Sequence, residues 1–522
     1  MADIQGRSSA KIDASIGLLA NVPEGILNKL RKKLGTNIDE NNKIELIILY
    51  RSTTEEVKQF IEGLGGYFQN LEFNFAIINV EVKYIDEISR SNYIQYIELP
   101  KSLYESDLNA QRASCVPQAV STYNVSGKGV LVGFIDSGID YTHPAFMDNE
   151  GNTRIEYIYD LSNKGAVYNK QQINEAIKSA DPYSVVPELD DTGHGTHVAG
   201  IACGGGKIPN EYKGIAPDAS IAMVKGARGR WVLSSQIMKG LKFLLDKSKE
   251  LNIPLVINIS LSTNNGAHNG SSLLEQYIRV IANLEKVTIV IAAGNEGDAS
   301  HHVGGVLEKT QTKSFVVASD EESVVINLYK TILPDISINI KDPSGISSGN
   351  INIQEGYFQG SIGRNRYDIY VAGPKPFELE REIQITLAPI SLDYLVEGVW
   401  NIEINVSNDY EGRYSLWLPI LEGLNPSTKF LEPTYLNTLG IPATVDNIIA
   451  VGSYNPQTNT LSPFSGRGTE YNGYSGIRPD LVAPGENIAG PIPNGGYDKK
   501  TGTSMATPQV TGICALFAEW GL

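Results

Sequence analysis

The spacing of apolar positions changes along the chain and separates three kinds of segment. From about residue 107 to 300, short apolar runs alternate with stretches of helical periodicity. The runs Val130–Ile135, Val256–Leu261 and Val287–Ala293 predict buried strands, and residues 233–248 and 272–284 predict the helices between them. This alternation is typical of an α/β domain with a parallel sheet and helices on both faces.

Between about residues 306 and 430 the period of the apolar positions falls from 3.6 to 2. Ile336, Ile338 and Ile340 alternate with polar residues, and Trp400 and Ile402 do the same further along. Short alternating strands with little helix predict an all-β sandwich or jelly roll. We therefore expect an inserted β domain over residues 306–432, which interrupts the α/β pattern.

The N-terminal part of the chain predicts a small α+β domain over residues 1–100. Lys43–Tyr50 reads as a strand, and Thr53 precedes a helix with glutamates in its first turn. A second strand is predicted over Phe73–Val80 and a short helix over Val82–Ile88. The α/β domain then occupies residues 101–305 and 433–522, on the two sides of the insertion.

Composition excludes several classes of protein. The chain has 522 residues, 41% of them hydrophobic and 20% charged, which indicates a globular protein of about three domains. Its net charge of −16 argues against a nucleic-acid partner or an anionic membrane. No apolar segment is long enough to span a membrane, and residues 1–9 lack a signal-peptide core, so we expect cytoplasmic synthesis. Three cysteines without paired spacing argue against a disulfide framework.

Three stretches carry residues suited to nucleophilic catalysis. Ser504 lies between small residues at the start of an apolar helix, where free N–H groups favour a developing negative charge. Asp136 follows the first core strand, and His194 lies between glycines. Taken singly, each has a plainer interpretation: a turn serine, a strand-end cap, a structural histidine. Asp, His and Ser in this order nevertheless form one of the known arrangements of an activated serine.

Four strings together resemble the subtilisin-type serine proteases: D-S-G-I-D from residue 136, H-G-T-H-V-A-G from 194, A-A-G-N-E-G from 292 and G-T-S-M-A-T-P from 502. The resemblance covers roughly residues 107–300 and 437–522. The insertion, the N-terminal segment and the lack of an export signal are most similar to the clostridial Csp-type spore germination proteases, especially the CspB-like members. The resemblance implies a subtilisin-like parallel sheet flanked by helices, an N-terminal α+β propeptide domain and an inserted jelly roll.

The resemblance also assigns roles to residues. Ser504 is expected to be the nucleophile, His194 the base, and Asp136 the group that orients the imidazole. Asn295 matches the oxyanion donor of the family. Five further residues are expected to bind the substrate, partly by strand pairing with an extended peptide: Ser260, Leu261, Ser262, Ala293 and Gly294.

No cofactor and no metal site are predicted. His143, His268, His301 and His302 lack ligand spacing, and the adjacent pair at 301 and 302 is expected in a solvated loop. Subtilisin-like enzymes carry an Asn-rich loop for calcium, which Gly204 to Lys207 replace here. Calcium binding is therefore left open.

The resemblance implies that the N-terminal domain assists folding and then occupies the cleft as a bound propeptide. The maturation cut is expected between about residues 94 and 106. The general offset of the family favours the later part, whereas Csp-type proteins favour the bond at Gln95 and Tyr96, and the choice stays open. Subtilases normally continue beyond the serine helix, which favours a C-terminally truncated fragment. If the chain is instead complete, apolar surface is expected to be exposed there.

The function expected from these features is a serine endopeptidase of limited specificity with an autoprocessed propeptide. The Csp resemblance implies a protein substrate, the zymogen of a spore cortex-lytic enzyme, cleaved during germination by an enzyme packaged in the spore. Two alternatives stay open: a pseudoprotease that senses germinants or acts as a scaffold, and a general intracellular subtilase.

Overall fold

The structure is a computed structural model that describes residues 9–21, 38–39, 42–105, 122–226, 229, 231–468 and 478–521. The expectations for the signal segment before residue 9 and for Cys115 lie outside the described residues. No described helix combines the length and the hydropathy needed to cross a lipid bilayer. Cys203 and Cys514 are both free thiols.

In chain order, the α-helices are α1 (Ala14–Asn21), α2 (Thr54–Gly63), α3 (Ile85–Arg90), α4 (Lys170–Lys178), α5 (His194–Cys203), α6 (Ser234–Leu251), α7 (Leu273–Ala282) and α8 (Thr503–Trp520). The strands, in the same order, are β1 (Lys43–Tyr50), β2 (Tyr67–Asn70), β3 (Phe75–Glu81), β4 (Ile94–Glu98), β5 (Ser102–Glu105), β6 (Leu131–Asp136), β7 (Ile155–Asp160), β8 (Ala166–Asn169), β9 (Ser220–Lys225), β10 (Trp231–Leu233), β11 (Leu255–Ile259), β12 (Leu261–Ser262), β13 (Val287–Ala292), β14 (His302–Val306), β15 (Thr310–Val317), β16 (Val324–Thr331), β17 (Ile336–Lys341), β18 (Ile351–Asn352), β19 (Gly356–Ile362), β20 (Asn365–Val371), β21 (Glu380–Pro389), β22 (Gly398–Val406), β23 (Arg413–Trp417), β24 (Lys429–Phe430), β25 (Ile449–Asn455), β26 (Thr460–Leu461), β27 (Leu481–Pro484), β28 (Ile488–Pro491) and β29 (Tyr497–Lys500).

The chain forms two compact units. The first, which we call the N-terminal/insert unit, comprises residues 1–102, 264–273 and 299–437. The second, the α/β unit, comprises residues 103–263, 274–298 and 438–522. The four predicted domain segments stay a prediction, and we describe each unit by itself.

The α/β unit is built on a sheet with the order β26-β25-β13-β11-β6-β9-β7-β8, to which β27 adds beside β25. The central pairs are parallel, and only the pairs β7/β8 and β25/β26 are antiparallel. Strand β6 is buried along its whole length, which explains its continuous apolar run. The α/β prediction is confirmed, and Asp136 lies at the C-terminal end of β6, the end of a parallel strand at which functional groups collect.

Helices α5 and α8 lie in the core of this unit and are buried over most of their length. Small residues permit this close packing. A side chain at Gly200 would lie 2.0 Å from the Pro491 ring, and one at Gly512 would lie 2.5 Å from Ile215. The predicted helix behind Ser504 is thus confirmed, and it is buried because it presents almost no bulk to its neighbours.

The N-terminal/insert unit begins with an antiparallel sheet in the order β2-β3-β1-β4. Helix α2 starts in a capping box, in which Thr53 and Glu56 satisfy each other's backbone N–H groups. Val57 and Ile61 are the buried residues of this helix, one turn apart on one face. The predicted α+β pattern is confirmed.

The insertion forms two antiparallel sheets, in the orders β14-β23-β16-β21-β20-β19 and β18-β17-β22-β15-β24. Alternate residues of each strand enter a common core, among them Ile338, Ile340 and Trp400. The all-β prediction is therefore confirmed, whereas the jelly-roll connection stays a prediction. The expectation of a solvated loop at His301 and His302 is wrong: both are buried, and the ring of His302 stacks on Trp417 at 5.0 Å.

Within this unit the N-terminal segment and the insertion share one hydrophobic core. Ile16 and Leu18 of helix α1 belong to the same cluster as Val325, Tyr370 and Ala372 of the insertion. The fit is close at Gly17, where an added side chain would lie 2.0 Å from the Tyr370 ring. Helix α1 is therefore seated on the insertion as an integral part of that core.

Candidate active site

An acid–base pair forms the centre of the site. His194 Nδ1 lies 2.7 Å from Asp136 Oδ1, and both side chains are fully buried. His194 is the first residue of α5, and Asp136 is the last residue of β6. Two residues 58 positions apart thus meet because a helix begins directly beside the end of a strand.

Glycines make that approach possible. A side chain at Gly195 would lie 2.2 Å from the Gly138 carbonyl oxygen and 3.1 Å from the Asp136 side chain. Gly193, which precedes the helix, has φ 71°, a left-handed conformation that glycine adopts readily. The glycines on both sides of His194 are therefore required for the imidazole to reach the carboxylate.

A second layer of polar groups, which the sequence patterns do not predict, holds this corner. The Ser137 hydroxyl accepts a hydrogen bond from Gly195 N–H at 2.9 Å and donates to Asp190 Oδ1 at 2.7 Å. Asp190 Oδ2 accepts from the Thr196 N–H at 2.8 Å and from the Thr196 hydroxyl at 2.5 Å. The only signal in the sequence is the pair Asp190 and Asp191, which precedes His194. The sequence does not reveal the hydrogen-bond partners of Asp190.

A buried carboxyl lies beside the same loop. Glu188 is fully buried, and its Oε1 accepts a hydrogen bond from Ile139 N–H at 3.1 Å. Burial raises the pKa of Glu188 well above its usual range, although Lys225 acts in the opposite direction. The Glu188 carboxyl thus holds the backbone of the loop that follows Asp136.

Ser504 is the second residue of helix α8 and is fully buried. Its hydroxyl donates a hydrogen bond of 3.0 Å to the Ser260 carbonyl oxygen. The Ser260 hydroxyl in turn donates to the Ser504 carbonyl at 3.2 Å and accepts from Asn258 Nδ2 at 2.9 Å. Thr511, two turns further along the helix, donates to Asn258 Oδ1 at 2.9 Å. The serine is thus joined to strand β11 through a buried polar network.

Asn295 is half-buried beside the start of the same helix. Its side-chain oxygen accepts from the Thr503 N–H at 3.1 Å and from the Thr503 hydroxyl at 2.9 Å. A backbone N–H can only donate, so the atom that faces Thr503 must be the oxygen. The amide nitrogen of Asn295 therefore points away from Thr503, with two donors for another acceptor. Thr503 thus fixes the orientation of the Asn295 amide, and the sequence patterns do not predict this role.

The expected substrate strand is already paired in this structure. Leu261 lies opposite Glu105 and Ser262 opposite Tyr104, in antiparallel register. Strand β5 is the middle strand of a three-stranded sheet in the order β10-β5-β12. A segment from the end of the N-terminal region thus lies between Trp231–Leu233 and Leu261–Ser262, as an extended peptide substrate would.

Ala293 and Gly294 follow strand β13 and lead to Asn295. Gly294 has φ 85°, and a side chain there would lie 3.3 Å from both Gly440 Cα and the Ser262 hydroxyl oxygen. The Ala293 carbonyl accepts a hydrogen bond of 2.8 Å from Gly440 N–H. Because of this turn, Gly294 lies near Ser262, and Ala293 precedes it in the chain.

Two models of known families match the chain. The model of the Csp protease B prodomain matches residues 10–101. The model of the Subtilase family matches residues 127–373 and 427–520.

Individual proteins are similar over long stretches as well. The solved structure of the CspB protease of Clostridium perfringens is 52% identical, covers 79% of this chain and 88% of that chain, and has a TM-score of 0.76. The PI-type proteinase of Lactococcus lactis subsp. cremoris is 24% identical in an alignment 531 residues long that covers 92% of this chain and 27% of that protein. The minor extracellular protease Vpr of Bacillus subtilis (strain 168) is 26% identical in an alignment 415 residues long that covers 76% of this chain and 46% of that protein. This chain therefore spans between about a quarter and a half of the length of these two relatives.

Proposed function

The chain belongs to the subtilase family and carries a prodomain of the CspB type, and on this premise we propose that it is a serine endopeptidase of limited specificity that cuts its own propeptide. Ser504 is the nucleophile, His194 the general base and Asp136 the partner of the imidazole. The observation that carries the proposal is the buried 2.7 Å contact between His194 Nδ1 and Asp136 Oδ1. With Nδ1 engaged, Nε2 is the nitrogen that accepts the serine proton.

The proposed reaction begins when Ser504 Oγ attacks the scissile carbonyl carbon and its proton passes to His194 Nε2. The carbonyl oxygen becomes an oxyanion, for which Asn295 Nδ2 and the Ser504 N–H are the donors. The C–N bond then breaks, and the leaving amine takes the proton from His194. Water repeats the sequence on the acyl-enzyme and frees Ser504. The contact of Thr503 with Asn295 Oδ1 supports this role, since it leaves the amide donors free to face the oxyanion.

The first substrate in this proposal is the chain itself. Tyr104 and Glu105 pair with the strand that contains Leu261 and Ser262, and the side chain of the preceding Leu103 is fully buried. Backbone pairing provides affinity without reading every side chain. The tail of the propeptide therefore acts first as the substrate and then, once cut, as a bound inhibitor.

We propose that the cut lies between residues 105 and 107, at the C-terminal end of the expected window. The register runs towards the serine, since Tyr104 faces Ser262 and Glu105 faces Leu261. The alternative bond, between Gln95 and Tyr96, lies inside strand β4, which pairs with β1. A protease would have to unfold that strand before it could cut there.

The decisive experiment compares the wild-type chain with Ser504→Ala. The wild type should convert into two fragments whose masses place the cut between residues 105 and 107, and a fluorophosphonate probe should label Ser504. Ser504→Ala should stay uncut and unlabelled, with kcat/KM on an added peptide reduced by at least ~10⁴-fold, because the nucleophile is lost.

Ser319→Ala is the matched control, since Ser319 is exposed in the insertion, and it should behave as the wild type. Thermal melting of both variants verifies that they fold. A folded wild-type chain that is neither cut nor labelled would refute the protease proposal and favour the pseudoprotease alternative.

As the physiological substrate we propose the zymogen of a spore cortex-lytic enzyme, cleaved during germination. The proposal rests on the Csp-type resemblance, and the 52% identity with the CspB protease of Clostridium perfringens supports it. The processed enzyme should remove the pro-segment of such a zymogen, whereas Ser504→Ala should not. If the enzyme cuts peptides and itself but leaves the zymogen intact, the substrate is wrong while the protease proposal stands.

A further inference from the structure

Three backbone segments of the α/β unit converge on the side chain of Arg154. Its Nη2 donates to the carbonyl oxygens of Ala145 at 2.7 Å and Cys203 at 2.5 Å. Its Nη1 donates to the Ala219 carbonyl at 3.0 Å, and its Nε donates to the Met147 carbonyl at 3.3 Å. We call these four acceptors the carbonyl cage.

The guanidinium in the cage carries its charge without a carboxylate partner. Arg154 is only 7% exposed, and within the described part of the chain no ion pair involves it. Burial lowers the pKa of Arg154, whereas Cys203, Asp218 and Asp148 act in the opposite direction. Four carbonyl dipoles thus solvate the buried cation, in the way that backbone carbonyls coordinate a hard metal ion.

The glycine run at 204–206 gives the cage its shape. A side chain at Gly205 would lie 2.1 Å from the Pro217 carbonyl oxygen and 3.0 Å from Arg154 Nη2. Gly206 has φ 69°, and a side chain there would lie 2.4 Å from the Met147 carbonyl oxygen. These are the residues that stand where subtilisin-like enzymes have an Asn-rich loop for calcium. The glycines of this loop provide no side-chain ligands and leave the space that Arg154 occupies.

The residues of this corner do not fit a calcium ion. Calcium takes six to eight oxygen ligands, usually several of them from carboxylates. Here the carbonyls already receive guanidinium hydrogen bonds, and the fixed positive charge of Arg154 repels a second cation. The nearby carboxylate of Asp148 accepts from the N–H groups of Glu150 and Asn152 in its own turn.

We propose that Arg154 is the structural cation of this corner and takes the place that a bound calcium ion would hold. The cage joins the C-terminal end of helix α5, at Cys203, to the segment after strand β6, through Ala145 and Met147. His194 begins that helix and Asp136 ends that strand. The two elements that carry the acid–base pair are thus tied together by a covalently attached cation, which dilution or chelation cannot remove.

The first test is thermal melting of the uncut Ser504→Ala chain, which prevents self-digestion. Its melting curves in EDTA and in calcium chloride should coincide, because the corner around Arg154 offers no calcium site to fill or empty. A melting temperature that rises with calcium and falls in EDTA would overturn the proposal.

The second test replaces the cation in the same background. Arg154→Ala should lower the melting temperature by roughly 10 °C, because four buried carbonyls lose their donors. Methylguanidinium should restore part of this loss, since it refills the cage. Arg154→Met fills the space without charge, and its melting temperature should not respond to methylguanidinium. The melting temperature of Arg154→Lys should lie between that of Arg154→Met and that of the chain that keeps Arg154.

Arg279→Ala is the matched control, because Arg279 is a partly exposed arginine of the same unit whose ion pair with Asp446 is 3.4 Å long. Its effect on the melting temperature should be small. The inference fails if Arg154→Met has the same melting temperature as the chain that keeps Arg154. It also fails if methylguanidinium raises the melting temperatures of Arg154→Met and Arg154→Ala equally, because the cage would then not require a cation.

Discussion

Arg154 in the α/β unit and Lys375 in the N-terminal/insert unit are both buried cations, and opposite surroundings stabilise them. Arg154 donates only to neutral carbonyls. The Lys375 ammonium lies 3.1 Å from a Glu378 oxygen and 2.9 Å from a Glu382 oxygen, and all three side chains are at most 4% exposed. Burial lowers the pKa of both cations, but at Lys375 the two carboxylates outweigh it and raise the pKa well above its usual range.

A third buried cation explains why one site uses arginine and the other lysine. Lys330 donates to the carbonyl oxygens of Thr331 and Pro334, as Arg154 does in its cage. Burial, with Arg381 next in size, lowers the pKa of Lys330 to about 8. The carbonyl contacts do not offset these two effects on a lysine, whereas arginine starts from a much higher pKa and stays charged. Lysine is suitable where carboxylates surround it.

The two solutions also differ in their response to pH. The surroundings of Lys375 contain more buried acids than bases, and burial raises the pKa of Asp13 and of Glu98. Burial, with Glu378 next in size, also raises the pKa of Glu380 to about 7. Carbonyls do not titrate. The Lys375 cluster is therefore sensitive to pH, and the carbonyl cage is not.

The largest effect is expected when Lys375 is replaced by methionine. Glu378 and Glu382 then stay buried without their cation, which costs about 3–5 kcal/mol of the free energy of unfolding of the N-terminal/insert unit. Hydrogen exchange of peptides from β20 and β21, measured at pH 8, reports this loss.

The double variant Lys375→Met/Glu382→Gln is the matched control, because it removes one of the unpaired charges. It should recover a large part of the lost protection. Equal protection in the single variant and the wild type would show that the carboxylates do not depend on Lys375, and the contrast with the carbonyl cage would disappear.

A smaller effect is expected for Glu380→Gln, which mimics the protonated carboxyl. The folded-state pKa of Glu380 is raised, so its stabilising contribution is complete below its ordinary pKa and is lost as pH rises through about 7. Between pH 4.5 and 8 the wild type should therefore lose on the order of 2 kcal/mol relative to the variant.

Denaturation of both proteins at four pH values in this range tests the expectation. Glu55→Gln serves as control, because Glu55 is an exposed glutamate on helix α2, and it should follow the wild type at every pH. A constant difference between Glu380→Gln and the wild type across the range would contradict the assigned pKa of Glu380.

The sequence predicts most of the fold and the members of the candidate site, because both depend on local patterns. The apolar run before Asp136 predicts a buried parallel strand, and the small residues after Ser504 predict a tightly packed helix. Glycines on both sides of His194 signal close backbone approach. Each of these features lies within ten residues of the side chain that it positions, so one string of letters contains it.

The features that the sequence does not predict depend on distant partners. The cage of Arg154 consists of backbone carbonyls from 7 to 65 positions away, and a carbonyl belongs to every residue type. The burial of His302 depends on stacking with Trp417, 115 positions later, and a pair of adjacent histidines gives no hint of it. The same holds for Thr503, whose partner Asn295 is 208 positions away.

The shared core of helix α1 and the insertion has a kinetic consequence. The proposed cut after strand β5 would sever the covalent link between propeptide and enzyme, whereas Ile16 and Leu18 would still lie among Tyr370 and its neighbours. The propeptide could then dissociate only after this core opens. The half-life of the complex would therefore be set by an unfolding barrier rather than by a dissociation constant. Under the proposed function, the cleaved enzyme would stay inhibited until the shared core opens. A change that destabilises the insertion would shorten that delay.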